Sequence, residues 1–160
     1  MKRTLRLMED VLPAGTEPVF LPSGPRGLLV LEGALTIETE ASNQHLPTQI
    51  AWVGSEEITY VVGPEPVRLL RWEVVAEEPG HDGRLRSAPK AKSRVLLSAG
   101  VDLDAANRWL LRVDRVTFPK GTAAPLHVHQ GPGIRCVLKG EIDHLGPDGT
   151  RHLYKAGEPF

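Results

Sequence analysis

The chain of 160 residues has a single cysteine, Cys136, no excess of either charge and no long uninterrupted apolar run. Each absence removes a class. One cysteine makes no internal disulfide, which fits a reducing compartment, and the cytoplasm is the expected location. With 19 basic and 20 acidic residues the formal net charge is -1. That balance gives neither nucleic acid nor an anionic membrane surface a reason to bind. The N-terminal MKRTLRLMEDVLPAG is basic and then apolar, but Glu9 and Asp10 interrupt it early. It is neither a secretory signal nor a spanning helix. Helix is scarce as well, with VDLDAANRW as the one short candidate.

What is present is a set of short apolar runs cut by 14 prolines and 16 glycines. A hydrophobic fraction of 41% suffices for a core, in one ordinary domain or two very small ones. GLLVLEG (27–33), ALTIETE (34–40), QIAWVG (49–54), EITYVVG (57–63) and VRLLRWEVV (67–75) have strand length and strand composition. Residues 77–93 are polar, charged and broken by Pro79, Gly80, Gly83 and Pro89, the composition of a linker. Strand signals resume at RVLLS (94–98), RWLLRVDRVTF (108–118), PLHVH (125–129), IRCVLKG (134–140) and EIDHL (141–145). GPDG then turns the chain back into RHLY (151–154). The expected class is all-β, barrel or sandwich.

The two halves repeat one another. SGPRGLLVLEG (23–33) aligns without a gap on QGPGIRCVLKG (130–140), Gly15-Thr16 answers Gly121-Thr122, and Trp52-Val53-Gly54 sits like Lys155-Ala156-Gly157. Order and spacing together favour a duplication, with an N-terminal half at 1–76 and a C-terminal half at 94–160. His127 and His129 are two apart, which on a strand puts both imidazoles on one face and suits them to a metal. Their ungapped partners in the first half are Phe20 and Pro22, so only apolar groups are expected at the matching place there.

These residues resemble the two motifs of the cupin superfamily. Gly121, five residues, His127-Val128-His129, three residues, Gly133, six residues and Gly140 follow the spacing of the first motif. Gly149, five residues, Lys155-Ala156-Gly157, two residues and Phe160 follow the second. Two of the four family ligands match, His127 and His129, while Gly133 and Phe160 replace a glutamate and a histidine. The resemblance implies a cupin-like β-barrel (double-stranded β-helix or jelly roll), duplicated as in bicupins. Its second copy stops three residues after Gly157, which reads as incomplete at the C-terminus, either in a longer protein or completed by a partner's strands. It also implies a divalent transition metal (Fe, Mn, Ni, Cu or Zn) as cofactor and no nucleotide. The chemistry implied is metal-dependent and dioxygenase-like, on a small organic substrate. The alternative is a ligand-sensing or structural cupin that turns nothing over. A homodimer is the expected assembly.

Arg135 lies two residues beyond Gly133, so on a regular strand both face the cavity. Its guanidinium fork suits a carboxylate or phosphate and repels a bare metal ion, so the pocket suits an anionic small molecule, with or without metal. Strand parity puts Ile142 and His144 on one face and Glu141 and Asp143 on the other, so these cannot all reach one point. His144 and His152 flank a turn and read as exposed, and His45 and His81 carry no signal. Cys136 and Trp52, Trp72 and Trp109 read as core residues.

Overall fold

A computed structural model describes residues 1–76 and 83–160. The chain is all-β, and among the described residues there is no helix and none long and apolar enough to cross a membrane. Eight strands make up the N-terminal half. They are β1 (Lys2–Leu12), β2 (Val19–Leu21), β3 (Arg26–Glu32), β4 (Ala34–Glu38), β5 (Asn43–Pro47), β6 (Ala51–Gly54), β7 (Ile58–Val62) and β8 (Val67–Ala76). Three more follow, β9 (Lys92–Asp102), β10 (Glu141–Leu145) and β11 (Arg151–Lys155). One sheet runs β6-β3-β8-β1-β9, a second β2-β7-β4-β5, and β10-β11 stand as a separate hairpin. All pairings are antiparallel. Setting β9 aside, β6-β3-β8-β1 over β2-β7-β4-β5 is the strand order of an eight-stranded jelly roll, an architecture cupins share.

Alternation along the strands divides inside from outside. Leu12, Leu28, Val30, Leu35, Ile37, Trp52, Ile58, Tyr60, Val67 and Leu69 close on one another as the filled interior. The other face of the first sheet presents Leu7, Leu29 and Leu70, covered by Leu96 of β9 and by Ile134 and Cys136 of the later chain. Trp72 fixes that contact by donating its indole N–H to the Ile134 carbonyl at 3.1 Å.

The interior is not purely apolar. Arg6, Asp10, Arg26, Arg71 and Glu73 are all buried in it. Register explains the cluster: Glu73 on β8 has Arg6 of β1 on one side and Arg26 of β3 on the other. Arg6 reaches Glu73 through Nε and Nη2 at 2.9 and 2.6 Å, and Arg26 through Nε at 3.2 Å. Arg71 binds both Asp10 oxygens, at 2.6 and 3.0 Å, and donates to the Gly83 carbonyl at 2.7 Å. Ser93 of β9 donates to Asp10 at 2.6 Å. The hydrophobic pattern reads the apolar part of this interior, not that the buried charges sit opposite their counter-ions.

Other expectations shift for a common reason, that a strand needs a neighbour. MKRTLRLMED, read above only as a non-signal, is β1, with β8 on one side and β9 on the other. RVLLS lies within β9 and pairs with β1 of the N-terminal half. Leu85 and Ala88, inside the stretch read as a linker, are buried in the core, whereas residues 77–82, His81 among them, lie outside the described part. The runs at 108–118, 125–129 and 134–140 form no regular strand; one bridge, Cys136 to Pro159, marks the region. Trp109, expected in a core, is 42% exposed, and Leu126 and Val128 are 97% and 91% exposed.

Some local features of the later chain match the earlier one. In β4–β5, Ala34 pairs with Pro47 and Ile37 with Gln44; in β10–β11, Glu141 pairs with Lys155 and His144 with His152. The Val30 amide donates to the Ile50 carbonyl and the Gln49 amide to Val30, as Val137 donates to Glu158 and Gly157 to Val137. Gly33 and Gly140 share φ values of 76° and 78°, and Gln49 and Gly157 share 70° and 89°. The residue matching Gly157 is therefore Gln49 rather than Gly54, and Phe160 matches Trp52.

Candidate functional site

His127 and His129 lie in an exposed, irregular stretch, yet their rings meet. The two Nε2 atoms are 3.1 Å apart, with the ring planes at 71°. His127 Nδ1 is 2.7 Å from the Pro125 carbonyl, an oxygen that can only accept, so Nδ1 carries a proton, and in the neutral ring the lone pair is on Nε2. Metal–imidazole bonds of about 2.0–2.1 Å set at tetrahedral or right angles separate two nitrogens by roughly 3–3.4 Å. The observed gap fits a shared metal ion. It fits equally an N–H donated from one imidazole to the other.

The surrounding charge is positive. Arg135 above all, then slight burial, His127 and Arg112, hold His129 below the ordinary imidazole range. Among the described residues no group of three or more His, Cys, Asp or Glu side chains stands ready for a metal. Gly133 supplies no side chain and Phe160 no donor atom. Arg135 lies 5.8 Å over the Phe160 ring, and the backbones of these two residues exchange both hydrogen bonds, at 2.7 and 2.9 Å. Phe160 stacks on Tyr154 at 4.6 Å and lies 5.7 Å from His144.

The interface with the N-terminal half orients this region. Ile134 and Cys136 pack on Leu7, Leu29 and Leu70, while Gly133 and Arg135 are exposed. In the N-terminal half the positions matching them, Arg26 and Leu28, point into the jelly roll, and Trp52, matching Phe160, is buried there. Val19 and Leu21 of β2 are buried and Phe20 is exposed, so the inward positions nearest the Phe20 and Pro22 alignment are apolar. Cys136 is half-buried, and burial first, then Glu9, pushes its thiol up, away from nucleophilic use. His144 and His152 are exposed cross-strand partners, and His45 is exposed on β5.

No protein-family model matches the chain, and no curated protein does. Three solved structures are similar to part of it. Apo-HppE shares 24% identity over 43% of this chain and 41% of that one, with a TM-score of 0.36. The polyketide cyclase RemF from Streptomyces resistomycificus shares 21% over 49% and 64%, with a TM-score of 0.37. Ectoine synthase from P. lautus shares 15% over 66% and 72%, with a TM-score of 0.41. The matched part spans less than half of apo-HppE and less than two thirds of RemF.

Proposed function

We propose that this is a cupin-type small-molecule-binding protein built from a duplicated jelly-roll unit, with its site in the C-terminal half at His127 and His129. The duplication is supported by the repeated hydrogen bonds, the matching hairpin register and the paired left-handed residues described above. The observation that carries the site is the 3.1 Å approach of the two Nε2 atoms, with the His127 proton placed on Nδ1. Two imidazoles would hold a divalent ion (Fe, Mn, Ni, Cu or Zn) weakly and leave several positions for a ligand. Such an ion would polarise a bound substrate or activate oxygen, the chemistry of a dioxygenase-like enzyme. Arg135 orients an anionic group of the ligand, and Phe160 and Tyr154 give it an aromatic wall.

A second reading is a binding module without metal, favoured by the guanidinium beside His129 and by the lack of a third donor among the described residues. A homodimer in the cytoplasm belongs to either reading; the exposed Trp109, Leu110, Val116, Phe118 and Leu126 support self-association.

Calorimetry with zinc, manganese and iron(II) separates the two readings. The parent protein is expected to bind one ion weakly, and His127→Ala or His129→Ala to abolish it. Supplying the missing donors in Gly133→Glu with Phe160→His should tighten binding by at least ~10–100-fold. Tight binding that survives both histidine substitutions would place the ligands elsewhere. No binding by parent or restored variant would leave the module reading.

A further inference from the structure

We infer that the N-terminal jelly roll holds a second binding site, for a short aliphatic carboxylate, and that residues 83–88 of the chain occupy it as a plug. The inference stands apart from His127 and His129. Its first support is how the plug is seated. Gly83, Leu85 and Ala88 are buried, while Arg84, Arg86 and Ser87 between them are exposed. The Gly83 carbonyl accepts from Arg71 Nη2 at 2.7 Å, inside the buried charge cluster. Gly83 lies so close to Arg6 that a Cβ there would stand 2.9 Å from the guanidinium carbon. Two residues on, Leu85 enters the apolar core, in one cluster with Tyr60, Leu21 and Leu28. The plug thus sets an oxygen on arginine and a branched aliphatic side chain in the adjoining core. While it is seated the jelly roll is full. Among the described residues no backbone hydrogen bond joins it to a strand; Ala88 donates to Leu85 within the segment itself. A segment held this way can leave without breaking a sheet.

The second support is a pair of donors that the plug fails to satisfy. Arg26 Nη1 and the Tyr60 hydroxyl are buried and have no partner. Buried donors are nearly always paired, and one left unpaired bears the full cost of its desolvation. Both lie beside the plug. Arg26 and Arg71 meet on one oxygen, Glu73 Oε1, at 3.2 and 2.7 Å, so their guanidiniums are neighbours. Tyr60 shares the apolar cluster with Leu85. Glu73 has nothing left to offer, since Arg6, Arg26 and Arg71 already engage both its oxygens. The Gly83 carbonyl brings one neutral oxygen. A carboxylate in its place brings two charged ones, enough for Arg71 and for the unpaired donors. The space that Leu85 would vacate is apolar, so an aliphatic tail fits it and inorganic phosphate has nothing to put there.

Isothermal titration of the full chain with isovalerate, whose tail matches the leucine side chain, and with inorganic phosphate tests this. The plug competes with the ligand, so Leu85→Ala, which loosens it, should bind isovalerate about tenfold tighter than the parent or better. Tyr60→Phe, which conserves the core volume, should weaken binding about tenfold, the loss for a hydrogen bond to a charged group. Hydrogen exchange reads the parent without any substitution: saturating isovalerate should speed exchange of the amides at 84–88 and leave those of β4 unchanged. No saturable binding by parent or Leu85→Ala would overturn the inference. So would phosphate binding as tight as that of isovalerate, Tyr60→Phe binding like the parent, or isovalerate binding that leaves exchange at 84–88 as it was. Zinc titration reads the histidine pair separately, so either claim can fail while the other stands.

Discussion

The N-terminal jelly roll and the region from 103 to 160 are filled in opposite ways. In the first, every inward position is filled. Trp52, Tyr60, Ile37 and their neighbours pack together, and Arg6, Arg26, Arg71, Asp10 and Glu73 form buried ion pairs beside them. In the second, the matching positions hold a half-buried Phe160 and the exposed His144, Gly133 and Arg135. A jelly roll packed with its own side chains has no room for a ligand, whereas the later region leaves these side chains open to solvent.

The largest expected difference is in the buried charges. Asp10→Ala leaves Arg71 only Glu73, which Arg6 and Arg26 share, so three buried guanidiniums face one carboxylate, at a cost of about 3–5 kcal/mol. The exposed Asp114→Ala, which breaks the Arg112 pair, should change stability by less than ~1 kcal/mol. Urea denaturation of the two variants sharpens the comparison if they separate and breaks it if they do not.

Acid should act on the same half. Burial pushes the Glu73 carboxyl up, but Arg71 and Arg6 outweigh it and hold the pKa at about 2, against an ordinary 4.5. A carboxylate depressed in the folded state stabilises fully above its unfolded pKa and loses that contribution as pH falls through the folded one. Stability on the order of 3 kcal/mol should therefore drain between about pH 4.5 and pH 2. In Glu73→Gln that part of the pH dependence should disappear from denaturation curves, whatever the variant's starting stability.

The smallest effect compares matched hairpin positions. Ile37 is fully buried, so Ile37→Val should lower stability by about 0.5–1.5 kcal/mol. His144, its counterpart on β10, is exposed, and His144→Gln should shift the thermal midpoint hardly at all. Equal shifts would mean that the second hairpin is packed as tightly as the first.

Much of the N-terminal half was legible from residues alone. β3, β4, β6, β7 and β8 fall within or beside apolar runs bounded by glycine and proline, because each strand buries one face and turns where such residues allow. β1 was missed because Arg3, Arg6, Glu9 and Asp10 make it look polar. Two of these, Arg6 and Asp10, face inward and are paired by strands more than sixty residues away. No local pattern reports such a partner. The runs at 108–118 and 125–129 have strand composition without a ladder, since composition expresses a preference and hydrogen bonds need a neighbour. The histidine pair was legible from its spacing, but its meeting depends on a carbonyl, that of Pro125, rather than on strand alternation.

The central claim is that His127 and His129 act together as one site, and paramagnetic NMR tests it at the atoms concerned. Titrating Mn²⁺ into the protein should broaden the ring resonances of these two histidines together, at low occupancy, and leave the His45 resonances sharp. Broadening centred on His45, His144 or His152 with His127 and His129 untouched would contradict it.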